Sequence, residues 1–471
     1  MKSIVLLSAI AAATVAFADT MPTVSNVTLS RPSTKVLRGT YQLDKPAVIT
    51  VDFQTNGVSI GSAAVMNTLD GDVNRFVQAG QHSFTWNPRQ AWDGCYSENF
   101  RAVVKAWPTN SPPDYMVVRI GRGDSEKEEF GGWVRYYEKV EDLPFGGLEN
   151  DCYRTNYIAF RKIPARGVTF LMGGQANEGA HFRNNAVTCP HEVTLDYDYY
   201  MAVFEATQGH RMAVAGEYWH WAEIWPSSEP QQPEGLALRP LEGSWYQMRI
   251  NAANTLGSNS VYLPNCAYGK ASGSTGFLGL VASFTGIPFE FPTEAEWEFA
   301  ARGGHGPGFQ PDGTRMYTTI SSGDKNNILT NYLNRCVRYL ANSTPDGTTK
   351  TKPTFSGRTE PLPLTQATAR VGSYAPNGFG LYDMVGNQTE WCFDVFVADI
   401  TKANGARQEC ALDASTVGST PRVFRGGKWD AGWNGVTLTP GYRDGTSGAK
   451  SPGQGTSAVR LTVRANGYGT K

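Results

Sequence analysis

Apolar and polar residues alternate along the N-terminal part of the chain, a pattern typical of β-strands with one buried face. Residues 46–54 (PAVITVDFQ) and 58–65 (VSIGSAAV) flank the dipeptide Asn56-Gly57, which favours a two-residue hairpin turn. Two further runs, QHSFTW and FRAVVKAW, carry the same alternation or are rich in β-branched and aromatic residues. The pattern therefore predicts an all-β domain.

The pattern changes at about residue 150, where short strands begin to alternate with a few helices and long glycine-rich loops. Residues 291–304 (FPTEAEWEFAARGG) contain the clearest helix. Thr293 can cap its first turn, Glu296 completes a capping box, and a glycine pair ends it. Carboxylates near a helix start are favoured by the helix dipole, so we interpret three of them as structural rather than as acid–base groups. They are Glu294, Glu296 and Glu298.

The chain has 471 residues, more than one ordinary core accommodates, which favours two domains. Its 51 Gly and 27 Pro favour short strands and long loops. We predict a β-sandwich of the immunoglobulin-like kind at 19–120, either a spacer or a glycan-binding module. A linker or transition follows at 121–150, and an irregular, loop-rich α+β domain occupies 151–471.

The N-terminus has the features of a secretory signal peptide over residues 1–18. Lys2 supplies a positive charge, residues 4–15 are apolar, and a small-x-small site ends at Ala18. The apolar run is shorter than a membrane span, and no second run of that length follows. We therefore expect a secreted, periplasmic or cell-surface protein without a membrane span. Because the net charge is −1 and basic residues are not clustered, nucleic acid is not an expected partner.

Seven cysteines are distributed along the chain. Export permits disulfides, but an odd number leaves at least one thiol without a partner in the chain. There is no CxxC pair and no HExxH, so the common zinc motifs are absent from the sequence. The pairing of the cysteines stays open. They are Cys95, Cys152, Cys189, Cys266, Cys336, Cys392 and Cys410.

Residues 374–396 (YAPNGFGLYDMVGNQTEWCFDVF) contain two turns and a pair of carboxylates. Asp383 and Glu390, seven residues apart, could direct oxygens to one point, and carbonyls of the intervening turn could add more. Hard oxygen ligands of this kind suit Ca²⁺. The alternative is a carboxylate pair that holds the turn through hydrogen bonds alone.

Eight motifs, in order, resemble those of the formylglycine-generating enzyme family, also called sulfatase-modifying factors. The resemblance covers roughly residues 150–471 and implies a compact, irregular α+β domain related to C-type lectins. The motifs are MGG at Met172, PHEVTL at Pro190, EATQ at Glu205, GSW at Gly243, FPTEAEWEFAARGG, NGFGLYDMVGNQTEW, RVFRGGKW and VRLTV at Val459.

The resemblance implies a copper chemistry whose ligands this chain lacks. Active members of the family oxidise a cysteine of a sulfatase to formylglycine with O₂, using Cu(I) held by two thiolates, which are soft ligands for a soft ion. In those members a Ser follows the glycine pair, and the thiols lie on the next loop. Here Lys428 stands at the Ser position, and the thiol positions fall on Ala431 and Val436. Because no cysteine follows Cys410, we expect neither bound copper nor formylglycine generation, and we assign no catalytic residue.

The resemblance also implies structural calcium. In the family, an oxygen ligand, two carbonyls and a Glu bind Ca²⁺ in one turn. A second family site falls on Asn331 and Tyr332, with its remaining ligands unassigned. Nothing in the sequence suggests an open coordination position beside a base, so we expect any calcium to be structural. The first set falls here on Asp383, Gly386, Gln388 and Glu390.

Without the thiol pair, the function we expect is a calcium-stabilised binding domain for a peptide, protein or glycan. Exposed faces of Trp429 and Trp433 would suit sugar or peptide stacking. The alternative is that both of these Trp residues are buried in the core. The alternative functions are a formylglycine-generating enzyme with an unorthodox metal site and a family branch with altered chemistry. The candidate cleft consists of Lys428, Trp429, Asp430, Trp433 and Arg443.

Overall fold

The computed structural model describes most of the chain as an α+β protein in which strands far outnumber helices. Five helices have both ends in the described residues: α1 (Ala63–Met66), α2 (Pro88–Ala91), α3 (Gln208–Ala215), α4 (Phe277–Thr285) and α5 (Glu294–Ala301). Residues 332–336 are also helical. No helix in this part of the chain has the length and apolar character needed to cross a membrane. The described residues are 21–33, 35–92, 99–120, 133–174, 190–218, 235–243, 276–305, 332–339, 342, 368–397, 421–429, 438–447 and 457–469.

The N-terminal region, residues 21–107, is built from two antiparallel sheets. One sheet has the order β1-β2-β7-β5; in the other, β4-β3-β6, strand β3 also pairs with β8. Both sheets contribute side chains to one apolar core that includes Phe53 and Trp86. The strands are β1 (Val24–Ser33), β2 (Val36–Leu43), β3 (Ala47–Thr55), β4 (Val58–Ser59), β5 (Leu69–Gly71), β6 (Arg75–Val77), β7 (Gly80–Trp86) and β8 (Phe100–Trp107).

The hairpin predicted from the sequence is confirmed. Thr55 pairs with Val58, so the loop between β3 and β4 has two residues. Both of them have positive φ, +51° at Asn56 and +80° at Gly57, which is the conformation that this dipeptide adopts most readily. Local turn chemistry therefore fixes the register of this strand pair.

The C-terminal region, residues 115–469, contains two five-stranded sheets, β10-β9-β11-β14-β20 and β15-β19-β16-β17-β18, and the hairpin β12-β13. Short 3-10 turns at Val140–Asp142, Asp151–Arg154 and Leu236–Leu238 connect some of the strands. The strands are β9 (Tyr115–Arg119), β10 (Val134–Tyr137), β11 (Tyr157–Ile163), β12 (Val168–Met172), β13 (His191–Leu195), β14 (Tyr199–Ala202), β15 (Glu242–Gly243), β16 (Glu390–Val395), β17 (Pro421–Arg425), β18 (Arg443–Ser447), β19 (Ser457–Ala458) and β20 (Thr462–Arg464).

The sequence-based boundary at residue 120 falls inside the first of these sheets. Strand β9 pairs with β10 on one side and with β11 on the other. Residues 115–119 and 134–137 therefore pair with the C-terminal region, although the sequence assigned the first stretch to the sandwich and the second to a linker. Alternation within a strand shows which face is buried, but it does not show which strand lies alongside.

Helix α5 begins as the sequence predicts. The hydroxyl of Thr293 accepts a hydrogen bond from the backbone N–H of Glu296 at 3.1 Å. The carboxylate of Glu296 accepts one from the N–H of Thr293 at 2.7 Å, which completes the capping box. All eight residues of the helix are buried, so its carboxylates must find partners inside the protein.

Candidate functional site

The glycine pair at the end of β17 docks against the turn that precedes β16. Gly426 and Gly427 both have positive φ, and the carbonyl of Gly426 accepts a hydrogen bond from the N–H of Gly386 at 2.7 Å. A Cβ atom on Gly426 would lie 3.1 Å from the carbonyl oxygen of Met384 and 3.2 Å from the Trp297 ring. Glycine is therefore required here both for its backbone conformation and for the close approach.

The residue that follows Lys428 turns inward. Trp429 is only 2% exposed, and its backbone N–H donates to the carbonyl of Asn387 at 2.9 Å. Its ring is therefore part of the packed interior rather than a stacking platform. Lys428 is half-buried. Asp430, Trp433 and the two thiol positions, Ala431 and Val436, lie outside the described residues.

Arg443, assigned to the cleft from the sequence, is instead a buried partner of helix α5. The residue is 4% exposed, and its guanidinium donates to Glu294 through Nε at 2.5 Å and Nη2 at 2.8 Å. This two-pronged geometry is the strongest that an Arg–carboxylate pair adopts. The positive charge of Arg443 therefore compensates the buried charge of Glu294.

A second buried ion pair joins α5 to the end of β17. The carboxylate of Glu298 accepts hydrogen bonds from Arg302 at 2.6 Å, from the N–H of Gly173 at 2.8 Å and from Arg425. Burial alone would raise the pKa of Glu298, but the charges of Arg302 and Arg425 hold it below its usual value. The helix thus attaches the strand that carries the glycine pair to the loop after β12.

The predicted calcium turn begins with a buried carboxylate of which one oxygen has no hydrogen-bond partner. Asp383 is 3% exposed, and its Oδ2 accepts the N–H of Gly372 at 2.6 Å. Its Oδ1 is buried without a hydrogen bond. Burial raises the pKa of Asp383 to about 6, although the hydrogen bond from Gly372 opposes this shift. One oxygen of this carboxylate is therefore available to a ligand.

The carboxylate at the other end of the turn is fully engaged. Glu390 accepts a hydrogen bond from Arg460 at 2.6 Å on Oε1 and one from the Trp297 indole at 2.7 Å on Oε2. The same Arg460 also donates to the carbonyls of Ala202, Val203 and Tyr382. Arg460 therefore ties the turn to the strand β14, and Glu390 compensates its charge.

Sequence reasoning did not assign Glu205 to this site. Its Oε2 accepts the side-chain amide of Asn387 at 2.7 Å, while its Oε1 is buried without a hydrogen bond. Burial, together with the charges of Asp383 and Glu390, raises the pKa of Glu205 well above its usual value. The sequence contained one indication of this residue: Glu205 begins EATQ, one of the eight family motifs, to which no role was assigned.

Tyr332, predicted for the second calcium site, is adjacent to the first. Tyr332 and Asp383 both line a small cavity of about 10 Å³, roughly the space that one water molecule needs. Asn331 lies outside the described residues. In the ranges that the structure describes, no three side chains of Asp, Glu, His and Cys are grouped to hold a metal ion. Any calcium in this turn would therefore depend on backbone carbonyls as well as on Asp383.

The structure describes three cysteines, Cys152, Cys336 and Cys392, of which Cys152 is a free thiol. Cys392, on β16, is fully buried, and burial raises the pKa of its thiol well above the usual value. A buried thiol of this kind is unreactive. Cys95, Cys189, Cys266 and Cys410 lie outside the described residues.

Comparison with known proteins points to one family. The family described as "Sulfatase-modifying factor enzyme 1-like domain" matches residues 159–460. A formylglycine-generating enzyme of Thermomonospora curvata is 32% identical over 149 residues, which are 32% of this chain and 41% of that protein. The Bos taurus formylglycine-generating enzyme is 33% identical over 121 residues, 24% of each chain. The alignments thus span less than half of either curated relative.

Solved structures also align with the chain, at lower sequence identity. PvdO from Pseudomonas aeruginosa aligns with a TM-score of 0.40 and 19% identity, over 65% of this chain and 94% of that chain. Treponema denticola variable protein 1 aligns with a TM-score of 0.37 and 20% identity, over 65% and 95% respectively.

Proposed function

We propose that this chain, which belongs to the sulfatase-modifying factor enzyme 1-like domain family, is a non-oxidising member that binds a peptide or glycan. One observation carries the proposal: no cysteine follows Cys410, and the positions that the family resemblance assigns to the two thiols hold Ala431 and Val436. The side chains of alanine and valine offer no ligand atom to a metal, whereas Cu(I) selects thiolates. Oxidation of a substrate cysteine by the family's copper chemistry would therefore lack its metal ligands.

The elements that carry the glycine pair and Trp429 are firmly connected to one another, which supports a binding role. Helix α5 is joined to β17 by the Glu298–Arg425 pair and to β18 by the Glu294–Arg443 pair. Gly426 and Trp429 are hydrogen-bonded to the turn before β16. Rigid elements of this kind can position a variable loop for recognition.

The ligand-contacting part of the proposed cleft is the segment that begins at Lys428 and includes Asp430 and Trp433. Trp429 and Arg443 are buried and would support that segment rather than contact the ligand. We therefore expect different consequences from the two Trp residues. Trp433→Ala should abolish ligand binding and leave folding intact, whereas Trp429→Ala should lower the free energy of unfolding by about 3–5 kcal/mol.

That pair of variants also provides the binding experiment. A labelled Cys-x-Pro-x-Arg peptide and a panel of glycans are titrated against wild type, and every ligand that binds is retested with Trp433→Ala. Saturable binding that Trp433→Ala removes, in a protein with unchanged circular dichroism, supports the cleft. The proposed cleft is contradicted if neither the peptide nor any glycan binds wild type, or if the binding survives Trp433→Ala.

Calcium is part of the same proposal, as a structural ion. Asp383 Oδ1 and the carbonyls of Gly386 and Gln388 would hold it, and these hard oxygens suit Ca²⁺. The buried, unpartnered Oδ1 supports the fit. A carboxylate has about four acceptor positions, and those of Glu390 are taken by Arg460 and Trp297, so Glu390 would bind the ion only by giving up one of these hydrogen bonds. Bound calcium would hold the turn against which Gly426 and Trp429 dock.

Export and an immunoglobulin-like N-terminal region complete the proposal. The signal-peptide pattern of residues 1–18 supports secretion, and a calcium-stabilised fold suits a calcium-rich exterior. The two antiparallel sheets with a common core support a sandwich. N-terminal sequencing of protein from the culture medium or periplasm should begin near Asp19; protein that retains Met1 in the cell would contradict export.

Copper binding tests the non-oxidising assignment directly. Wild type and the double variant Ala431→Cys/Val436→Cys are mixed with Cu(I) and a competing colorimetric chelator. We expect all of the Cu(I) to bind the chelator when wild type is present. The double variant should compete with the chelator and retain copper, because two thiolates are introduced. Retention of stoichiometric copper by wild type would contradict the proposal, since ligands would then come from elsewhere in the chain.

A further inference from the structure

A cavity of about 170 Å³ lies where the N-terminal and C-terminal regions meet. Asp52, Ser59 and Lys105 line it from the N-terminal region, and Glu138, Lys139 and Asp142 line it from the segment after β10. It is separate from the cleft and from the calcium turn. The function proposed above leaves it unused.

Asp142 is the unusual member of this set. It is 6% exposed, and its Oδ1 is buried without a hydrogen bond. The ammonium of Lys139 lies 3.9 Å from Oδ1, which is beyond hydrogen-bonding distance, and the Lys139 side chain is 48% exposed. A buried carboxylate oxygen without a donor costs free energy unless a ligand satisfies it.

Oxygens from three separate segments surround one point beside Gly61. A Cβ atom on Gly61 would lie 3.1 Å from Asp142 Oδ1, 3.1 Å from Ser59 Oγ and 3.6 Å from Asp52 Oδ1. Ser59 also donates to Asp52 Oδ1 at 2.5 Å. The arrangement presents acceptor atoms to whatever occupies the adjacent cavity.

The remaining charges in the cavity are already paired. Glu138 accepts hydrogen bonds from Thr50 at 2.7 Å and from Lys105 at 2.5 Å. Lys105 is therefore engaged by Glu138. Asp52 accepts hydrogen bonds from two uncharged groups, Ser59 at 2.5 Å and the Gln54 amide at 2.7 Å, and Asp142 Oδ1 has the half-exposed ammonium of Lys139 at 3.9 Å. The electrostatic deficit is one positive charge in a polar space.

We propose that this cavity binds a primary ammonium group, from a small amine or from a lysine side chain, through Asp142, Asp52 and Ser59. An ammonium is compact and carries three donors, which suits three oxygens around one point better than a planar guanidinium does. A metal ion fits less well, because the part of the chain described by the structure contains no group of three metal-ligating side chains.

The experiment measures binding of n-butylamine by calorimetry at pH 7.4, with n-butanol as the neutral control of the same shape. A second arm uses acetyl-Gly-Lys-Gly-amide, which distinguishes a lysine side chain from a free amine. We expect saturable binding of at least one of the two cations, none of butanol, and affinity reduced at least about 10-fold in Asp142→Asn. Glu141→Gln is the matched control, since Glu141 is an exposed neighbour that does not line the cavity.

The ionisation of Asp142 supplies a second signature. Burial raises its pKa to about 6; Lys139 opposes the shift, and Glu138, Asp52 and Glu141 add to it. Lys105 also faces the cavity. Affinity should therefore fall between pH 7.4 and pH 5. Without ligand, a raised pKa in the folded state makes the ionised form a cost, so Asp142→Asn should raise Tm at pH 7.4 and lose this advantage below pH about 4.

The proposal is overturned if neither cation binds at pH 7.4, or if butanol binds as well as butylamine. It is also overturned if folded Asp142→Asn and Asp52→Asn both keep wild-type affinity. Calcium that binds the wild type, displaces butylamine and loses affinity in Asp142→Asn would assign the cavity to a metal ion instead. None of these readouts depends on the copper or cleft experiments, so either proposal can fail alone.

Discussion

Both regions of the molecule have apolar cores, but the C-terminal region adds buried ion pairs to its apolar packing. In the N-terminal core, aromatic rings stack: Phe53 on Trp86 with centroids 4.4 Å apart, and Trp86 on Phe100 at 5.7 Å. In the C-terminal region, buried arginines pair with buried glutamates across distant segments. These pairs are Glu294–Arg443, Glu298–Arg425 and Glu390–Arg460.

The difference follows from how much regular structure each region has. Long paired strands satisfy each other's backbone N–H and C=O groups, so the N-terminal core can be almost wholly apolar. The short strands and long loops of the C-terminal region leave carbonyls and carboxylates inside, and arginine has enough donors to satisfy several at once. Such pairs are costly to desolvate and still more costly to break, which makes the loop arrangement specific rather than exceptionally stable.

The largest effect should come from removing one buried charge. Arg460→Met leaves Glu390 without its partner and deprives three carbonyls of a donor. We expect the free energy of unfolding to fall by about 3–5 kcal/mol, measured by urea titration. Arg38→Met, at an exposed position in the N-terminal region, is the matched control and should change it by less than about 0.5 kcal/mol. Equal effects of the two variants would remove the contrast between the regions.

Chelation should produce the next largest effect, confined to the C-terminal region. A ligand that binds only the folded state contributes about 2.7 kcal/mol at a hundredfold excess over Kd, and the proposed calcium would be such a ligand. We expect EGTA to lower the Tm of wild type, and Asp383→Asn to reduce the EGTA-dependent part of that shift. The check is differential scanning calorimetry with elemental analysis. An unchanged Tm in a protein free of calcium would refute the calcium proposal.

The smallest effect should be a conservative change in the apolar core. Ile49 is fully buried between the two sheets of the N-terminal region. Ile49→Val removes one methylene group and should lower the free energy of unfolding by about 0.5–1.5 kcal/mol, with no dependence on pH or calcium. Urea titrations at pH 5 and pH 7.4 check this. A calcium-dependent loss would indicate that the two regions unfold as one unit.

The sequence predicts what depends on neighbouring residues. The Asn56-Gly57 hairpin and the Thr293–Glu296 capping box are both decided within four residues, and both are confirmed. The family and its α+β fold are also confirmed, because the motifs are specific in their order.

The sequence does not show partners that are distant along the chain. Glu298 and Arg425 are 127 residues apart, and Glu294 and Arg443 are 149 apart. No periodicity links such residues. We therefore assigned Arg443 to a cleft from the sequence, whereas its charge pairs with the buried carboxylate of Glu294. The same reason explains why β9 was assigned to the sandwich, since its alternation is equally suitable for either sheet.

The proposal that this family member does not oxidise cysteine is tested most directly by a turnover assay. Protein lacking residues 1–18 is incubated with a Cys-x-Pro-x-Arg peptide, copper, O₂ and a reductant, beside an active family member. Mass spectrometry then follows conversion of the thiol to the aldehyde. We expect an unchanged peptide with this protein and full conversion with the control. Aldehyde formed by this protein would show that it oxidises cysteine, with other groups in place of the thiols missing at Ala431 and Val436.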